Sequence, residues 1–168
     1  MSDQAPLPTS PDKLFEILEA LGIAYRLHEH EAVFTVAESS KLDEEIEGTP
    51  CRNLYLRDKK KQNFLVVAAN ETPVDLKALQ DKLGCGRLSF GSAERLWEYL
   101  GIRPGSVCPF TVINDPQHHV QVVLDAHMMA QESVCYHPLD NRMTIALSPS
   151  DLLKFFAHTG HVPQVLAF

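Results

Sequence analysis

The sequence predicts a single α+β domain built on a mixed β-sheet, and three observations point there. Its 168 residues are 45% hydrophobic with no shift in composition along the chain, enough for one core and offering no place to divide it. Helix-spaced segments and strand-like segments follow one another irregularly, without the strict alternation of a parallel sheet. Three helix starts carry their own capping residues, Ser10, Ser92 and Ser148.

Taken in order, residues 1–9 are polar and Pro-containing and are expected to be a flexible tail, with the domain running over 10–168. Ser10-Pro11-Asp12 starts a helix whose apolar positions Leu14, Phe15, Ile17, Leu18 and Leu21 lead to Gly22. A strand over 24–30 and a charged surface helix over 35–45 come next. Leu54, Leu56 and then Phe64 to Val67 flank the polar DKKKQN segment, which predicts a β-hairpin with a cationic tip. Helices are expected over 75–83, stopped by Gly84, and over 92–100, stopped by Gly101. Val107–Ile113, the turn at Asn114-Asp115-Pro116 and Val120–Leu124 read as a second hairpin, followed by strands at 134–137 and 143–147. A last helix runs from the Ser148 cap through His158.

Composition excludes several function classes. A net charge of -7 argues against nonspecific binding to long nucleic acid, DNA included, because that affinity is built from phosphate neutralisation. No segment reaches membrane-spanning length and the N-terminus lacks the pattern of a secretion signal, so a cytoplasmic protein is expected. Cys51, Cys85, Cys108 and Cys135 lie far apart with no CxxC, which suggests reduced structural thiols. Phosphate-binding, dinucleotide, serine-hydrolase and HExxH motifs are absent. His28 and His30 can share one strand face, but no third ligand stands at a matching position, so neither a metal nor a cofactor is assigned. His118 and His119 read as exposed turn residues, and His158 and His161 sit about a helix C-terminus.

Two short segments are more informative. Gly105-Ser106-Val107-Cys108-Pro109 is a GxxxP loop, able to turn backbone N–H groups toward one oxygen. His137 stands at a strand end before Pro138, where its ring can face a cleft.

Together, GTPCRNLYLRDKKKQNFLVV, the DLKALQ and GRLSF segments, LGIRPGSVCPFTVIND and YHPLDNRMTIALS resemble the prolyl-tRNA editing domains of the YbaK-like family, free-standing ProX-type proteins most of all. The resemblance runs from about Ser10 to the C-terminus, in the same order and at similar spacing. It implies a mixed, barrel-like sheet ringed by helices, and hydrolysis of the ester joining a mischarged amino acid to tRNA. It further implies that no metal takes part and that a ribose hydroxyl of the substrate assists the attacking water.

Carried onto this chain, the family's Lys-Asn pair falls on Arg52-Asn53, its loop on Gly105 and Pro109, and its pocket histidine on His137. Arg52 departs from the pattern. A guanidinium keeps its charge and cannot serve as a base, so its expected role is to hold a phosphate or polarise the ester. Arg52, Asn53, Gly105 and His137 are thus the expected catalytic set, with Ser106, Val107, Cys108, Pro109, Val33 and Phe34 around the substrate. Arg57, Lys59, Lys60 and Lys61 at the hairpin tip are expected to skim the tRNA. The expected partners are aminoacylated tRNA, tRNA(Pro) first, and a prolyl-tRNA synthetase. Two other readings stay open: a noncatalytic tRNA- or synthetase-binding module, and a deacylase for cysteine, serine or threonine.

Overall fold

A computed structural model describes residues 5–32 and 36–168 of the protein. Val33 and Phe34, expected beside the substrate, lie outside the described residues. The chain begins with α1 (Pro11–Ala20), where the Ser10 hydroxyl accepts a hydrogen bond from the Lys13 N–H and Pro11 occupies the first turn. Then follow β1 (Arg26–Glu29), α2 (Val36–Glu45), β2 (Thr49–Arg57), β3 (Asn63–Ala69), α3 (Leu76–Leu83), β4 (Ser89–Phe90) and α4 (Ala93–Leu100). A 3-10 helix, η1 (Pro109–Asn114), precedes β5 (Val120–Asp125), α5 (Ala126–Met129), β6 (Val134–Tyr136), β7 (Met143–Leu147), α6 (Pro149–Thr159) and β8 (Gln164–Leu166). Ahead of α1, Leu7 packs against the core and the Thr9 hydroxyl donates to Asn114 Oδ1 at 2.6 Å.

The sheet is mixed, in the order β1-β7-β6-β2-β3-β5-β8 with β4 added beside β2. The expected first hairpin is present: β2 and β3 pair antiparallel from Cys51 opposite Ala69 to Arg57 opposite Asn63. Its tip is organised by Asp58, whose carboxylate accepts from the N–H groups of Lys60, Gln62 and Gly86. Burial opposes the charge on Asp58, yet these bonds outweigh it and hold its carboxyl below the usual carboxylate range.

The second expected hairpin does not form. Val107–Ile113 is not a strand: Pro109 opens η1, which bends through Phe110, Thr111 and Val112, all buried. A short apolar run reads equally as buried strand or buried helix, and here Pro109 decides, having no N–H for a ladder and a φ suited to a first helical turn. Consequently β5 pairs parallel, with β3 on one side and β8 on the other.

Helices cover both faces. On one, Leu65, Val67, Val122, Leu124 and Ile145 meet Leu14 and Leu18 of α1, Leu96 and Leu100 of α4, Phe110 of η1, and Phe155 and Phe156 of α6. On the other, Leu56, Phe64, Val66 and Val123 meet Leu79 of α3. A smaller cluster of Leu42, Ile46, Cys135 and Ala146 seats α2. One edge of β2 is shared: Thr49 and Pro50 pair with β6, while Leu56 and Arg57 pair with β4. Between those two short ladders the sheet has a seam, and the candidate site lies at its β6 end.

Candidate active site

Four elements meet at the seam to form a cleft of about 50 Å³. Cys51 and Asn53 come from β2, Cys135 to His137 from the end of β6, Thr144 from β7, and Leu42 and Asp43 from α2. Gly48 lets α2 come this close. Its φ is +128°, and a Cβ there would stand 2.6 Å from Cys135 Sγ, so a side chain at 48 would push the helix connection off β6.

His137 is held from one side. Its Nδ1 lies 2.8 Å from the carbonyl oxygen of Met143, and because a carbonyl only accepts, Nδ1 carries the proton. In the neutral ring Nε2 is then an acceptor. Burial keeps the imidazole pKa below its ordinary value, against the Met143 bond, with His30 adding to the depression and Asp43 and Asp140 opposing it. Thr144 Oγ1 stands 3.5 Å from the same Nδ1 and 2.8 Å from Nε2 of His30, whose own Nδ1 donates to the Glu31 carbonyl at 2.8 Å. His30 therefore buttresses the site through Thr144.

Asn53 presents a buried Oδ1 with no hydrogen-bond partner, an arrangement that costs free energy unless a ligand donates to it. Asp43 accepts from Asn70 Nδ2 at 3.4 Å. Burial raises its carboxyl above the ordinary value, partly offset by His137 and by the Asn70 bond. The thiols are not nucleophiles, since burial pushes Cys51 up to about 12 and Cys135 up to about 11.

Of the residues expected to carry chemistry, the structure brings Asn53 and His137 together and leaves the others outside the cleft lining. Arg52 follows strand alternation to the opposite face from Asn53, where Nη2 donates to the Thr72 carbonyl at 2.6 Å and Nε has no partner. Gly105 has φ +96° and lies beside Asn141 in the 137–142 turn, so the GxxxP loop abuts the turn that carries His137 without entering the cleft. Ser106 faces a separate groove with Trp97 and Arg103, Val107 packs on the core, and Cys108 and Pro109 are buried. At the hairpin tip Lys59, Lys60 and Lys61 are exposed, while Arg57 lies 5.7 Å over the Tyr99 ring. Among the described residues no group of three His, Cys, Asp or Glu is placed to hold a metal ion, and no helix is long and apolar enough to cross a membrane.

Sequence reasoning missed Asp43, Asn70 and Thr144. Asp43 sits in the acidic segment LDEE, which reads as a solvated helix face, and Thr144 in an apolar strand. Neither carries a local signal, because the cleft is assembled from elements about 100 residues apart.

With this geometry in view, comparison with known proteins is specific. The family model for the aminoacyl-tRNA editing domain matches residues 30–155. The chain is 43% identical over 145 residues to the prolyl-tRNA editing protein ProX of Acetoanaerobium sticklandii, covering 86% of this chain and 88% of that protein. It is 34% identical over 158 residues to the prolyl-tRNA synthetase associated domain-containing protein 1 of Danio rerio, covering 93% and 86%. A solved structure described as a candidate trans-editing enzyme for prolyl-tRNA synthetase shares the fold with a TM-score of 0.70, at 22% identity and covering 97% of this chain and 99% of that one. The chain therefore belongs to the aminoacyl-tRNA editing domain family, and it is an aminoacyl-tRNA deacylase.

Proposed function

We propose that the protein edits in trans, releasing alanine from Ala-tRNA(Pro) by ester hydrolysis without a metal ion, with a ribose hydroxyl of the substrate assisting the attacking water. The observation that carries this reading is the lining of the cleft. It offers acceptors, the unpaired Oδ1 of Asn53 and Nε2 of neutral His137, to which ribose hydroxyl and amine hydrogens can donate. Its thiols are held protonated, so a covalent acyl-enzyme on cysteine has no support. A small amino acid suits this narrow cleft, in which Leu42 and Asp43 of α2 are set against β2 and β6, and a second site there can exclude proline by size. Such a second site is needed because one extra methylene changes binding in an apolar pocket by only about 1–3 kcal/mol.

In this reading Arg52 acts from behind the cleft. Its bond to Thr72 fixes the turn that carries Asn70, and its unpartnered Nε–H remains a charged donor. The GxxxP loop, led by Gly105, supports the His137 turn. Seven residue steps lead from Cys51 along β2 to Asp58 just past its end, on the order of 23 Å at about 3.3 Å per residue. That span equals about seven nucleotides at roughly 3.4 Å each, so Lys59 to Lys61 would reach phosphates of the acceptor stem while the 3′ end lies in the cleft. Delivery by prolyl-tRNA synthetase fits the small size of this basic surface.

The deciding experiment is amino-acid release from Ala-tRNA(Pro), Pro-tRNA(Pro) and Cys-tRNA(Pro) with purified protein and EDTA present. Rapid loss of alanine alone, unchanged by the chelator, is the expected result. Preferential loss of cysteine would reassign the amino acid, inhibition by EDTA would overturn the metal-free step, and binding without release would overturn the enzymatic reading.

A further inference from the structure

The electrostatics of the cleft say more about the substrate than its size does. Of the ionisable groups in the lining, burial holds the thiols of Cys51 and Cys135 and the phenol of Tyr136 in their protonated forms, and keeps the His137 ring toward its neutral one. Arg52 is turned to the other face of the sheet. Asp43 is therefore the one group in the described lining that carries charge near neutral pH, and that charge is negative. It stands beside two acceptors without donors of their own to offer, Asn53 Oδ1 and His137 Nε2. Its bond from Asn70 is long, at 3.4 Å, so among the described residues its carboxylate is only weakly engaged.

A cleft with one carboxylate and two further acceptors complements a cation with several N–H donors. An aminoacyl ester carries such a group one bond from the reacting carbonyl: its α-amine, which titrates near neutrality. We propose that Asp43 binds the α-ammonium of the aminoacyl group and thereby makes a free α-amine a condition of recognition. N-acylated aminoacyl-tRNA, which has the same side chain and ester but no ammonium, is excluded by this charge. The inference rests on the deacylase reading and adds the feature of the substrate that the cleft selects besides side-chain size. Burial raises the Asp43 carboxyl above its ordinary value, so folding does not by itself favour the ionised form, and a bound cation would.

The test uses a probe that cannot be hydrolysed, 3′-deoxy-3′-(L-alanylamino)adenosine, beside its N-acetyl derivative, with binding measured by calorimetry. Wild-type protein is expected to bind the free amine at least 10-fold more tightly. Asp43→Asn should erase that ratio, weakening the free amine roughly 10- to 100-fold as expected for a lost charge-assisted hydrogen bond while leaving the acetylated probe unchanged. Asp43→Glu should restore part of it. The thermal midpoint of Asp43→Asn should equal or exceed that of the wild type, which separates lost recognition from lost folding. Equal binding of the two probes by wild type, or an unchanged ratio in Asp43→Asn, overturns the assignment even if Ala-tRNA is deacylated. Conversely, an intact ratio in a protein that releases no alanine would sustain the role of Asp43 and overturn the editing reaction.

Discussion

The two sides of the β6–β7 ladder are built to different standards. On one, Tyr136 and Ile145 join a continuous apolar cluster with α1, α4 and α6, in which Phe110 and Phe155 stack edge to face at 5.1 Å and Leu14, Leu18 and Phe156 are fully buried. On the other, among the described residues, Cys135 and Ala146 cluster with Leu42 and Ile46 of the α2 layer, and His30, His137, Thr144 and Asp43 stand beside them. Stability is concentrated on the first side because burial of large apolar groups is where the folding free energy lies. The second keeps unpaired acceptors that the first could not tolerate, and the first makes that affordable.

Four changes test this contrast, beginning with the most damaging. Phe110→Ala should cost about 3–5 kcal/mol by cavity formation and lower the thermal midpoint by on the order of 10 °C, measured by calorimetry, while the protein that remains folded keeps its deacylation rate. Arg52→Ala should remove most deacylation and some stability together, because the guanidinium ties β2 to the Thr72 carbonyl; Arg52→Lys should keep most of the rate. A loss of stability with full activity in Arg52→Ala would assign that residue to structure alone.

His137→Gln should alter the ratio of alanine to cysteine release with little change in midpoint at pH 8. Its signature is in the pH dependence of stability. The folded pKa of His137 lies below 6.5, so folding favours the neutral ring and stability falls as pH drops from about 6.5 through the folded value. Urea titrations over that window should show a shallower decline in His137→Gln than in wild type. The contrast on the core side is Asp115, which accepts from buried His161 at 3.0 Å. Burial opposes its charge, but His161 and two backbone N–H groups hold its carboxyl below the ordinary 3.8. Its contribution is present above that value and is lost only as pH falls below it. Smallest is the joint change of Lys59, Lys60 and Lys61 to Ala. It should raise KM several-fold at low salt and flatten the salt dependence, leaving kcat and the midpoint unchanged.

Much of the fold was legible because its signals are local. The β2–β3 hairpin announces itself by two apolar runs about DKKKQN, and α1, α4 and α6 by serine caps whose hydroxyls accept the N–H three residues on. Val107–Ile113 reads as a strand because a run with five consecutive buried residues, 108–112, has no usable period, and β8 escapes notice because Gln164–Leu166 is short and largely exposed. The site was half legible. Of the expected set Arg52, Asn53, Gly105 and His137, only Asn53 and His137 line the cleft, because Arg52-Asn53 reads as one unit in sequence although neighbours in a strand face opposite sides. Asp43 and Thr144 were beyond reach, since their roles depend on which strands stand side by side.

The seam in β2 has a consequence for how such a domain changes over generations. Residues 51–54 lie between the two short ladders on that edge, so their side chains on the cleft face can be exchanged without disturbing a neighbouring strand on that side. Positions 51 and 53, with 43 and 137 opposite, are thus constrained by what the cleft binds rather than by strand pairing, while the hairpin and the aromatic core stay under packing constraint. Exchange of a side chain there acts on what is bound and leaves the ladders on either side as they are.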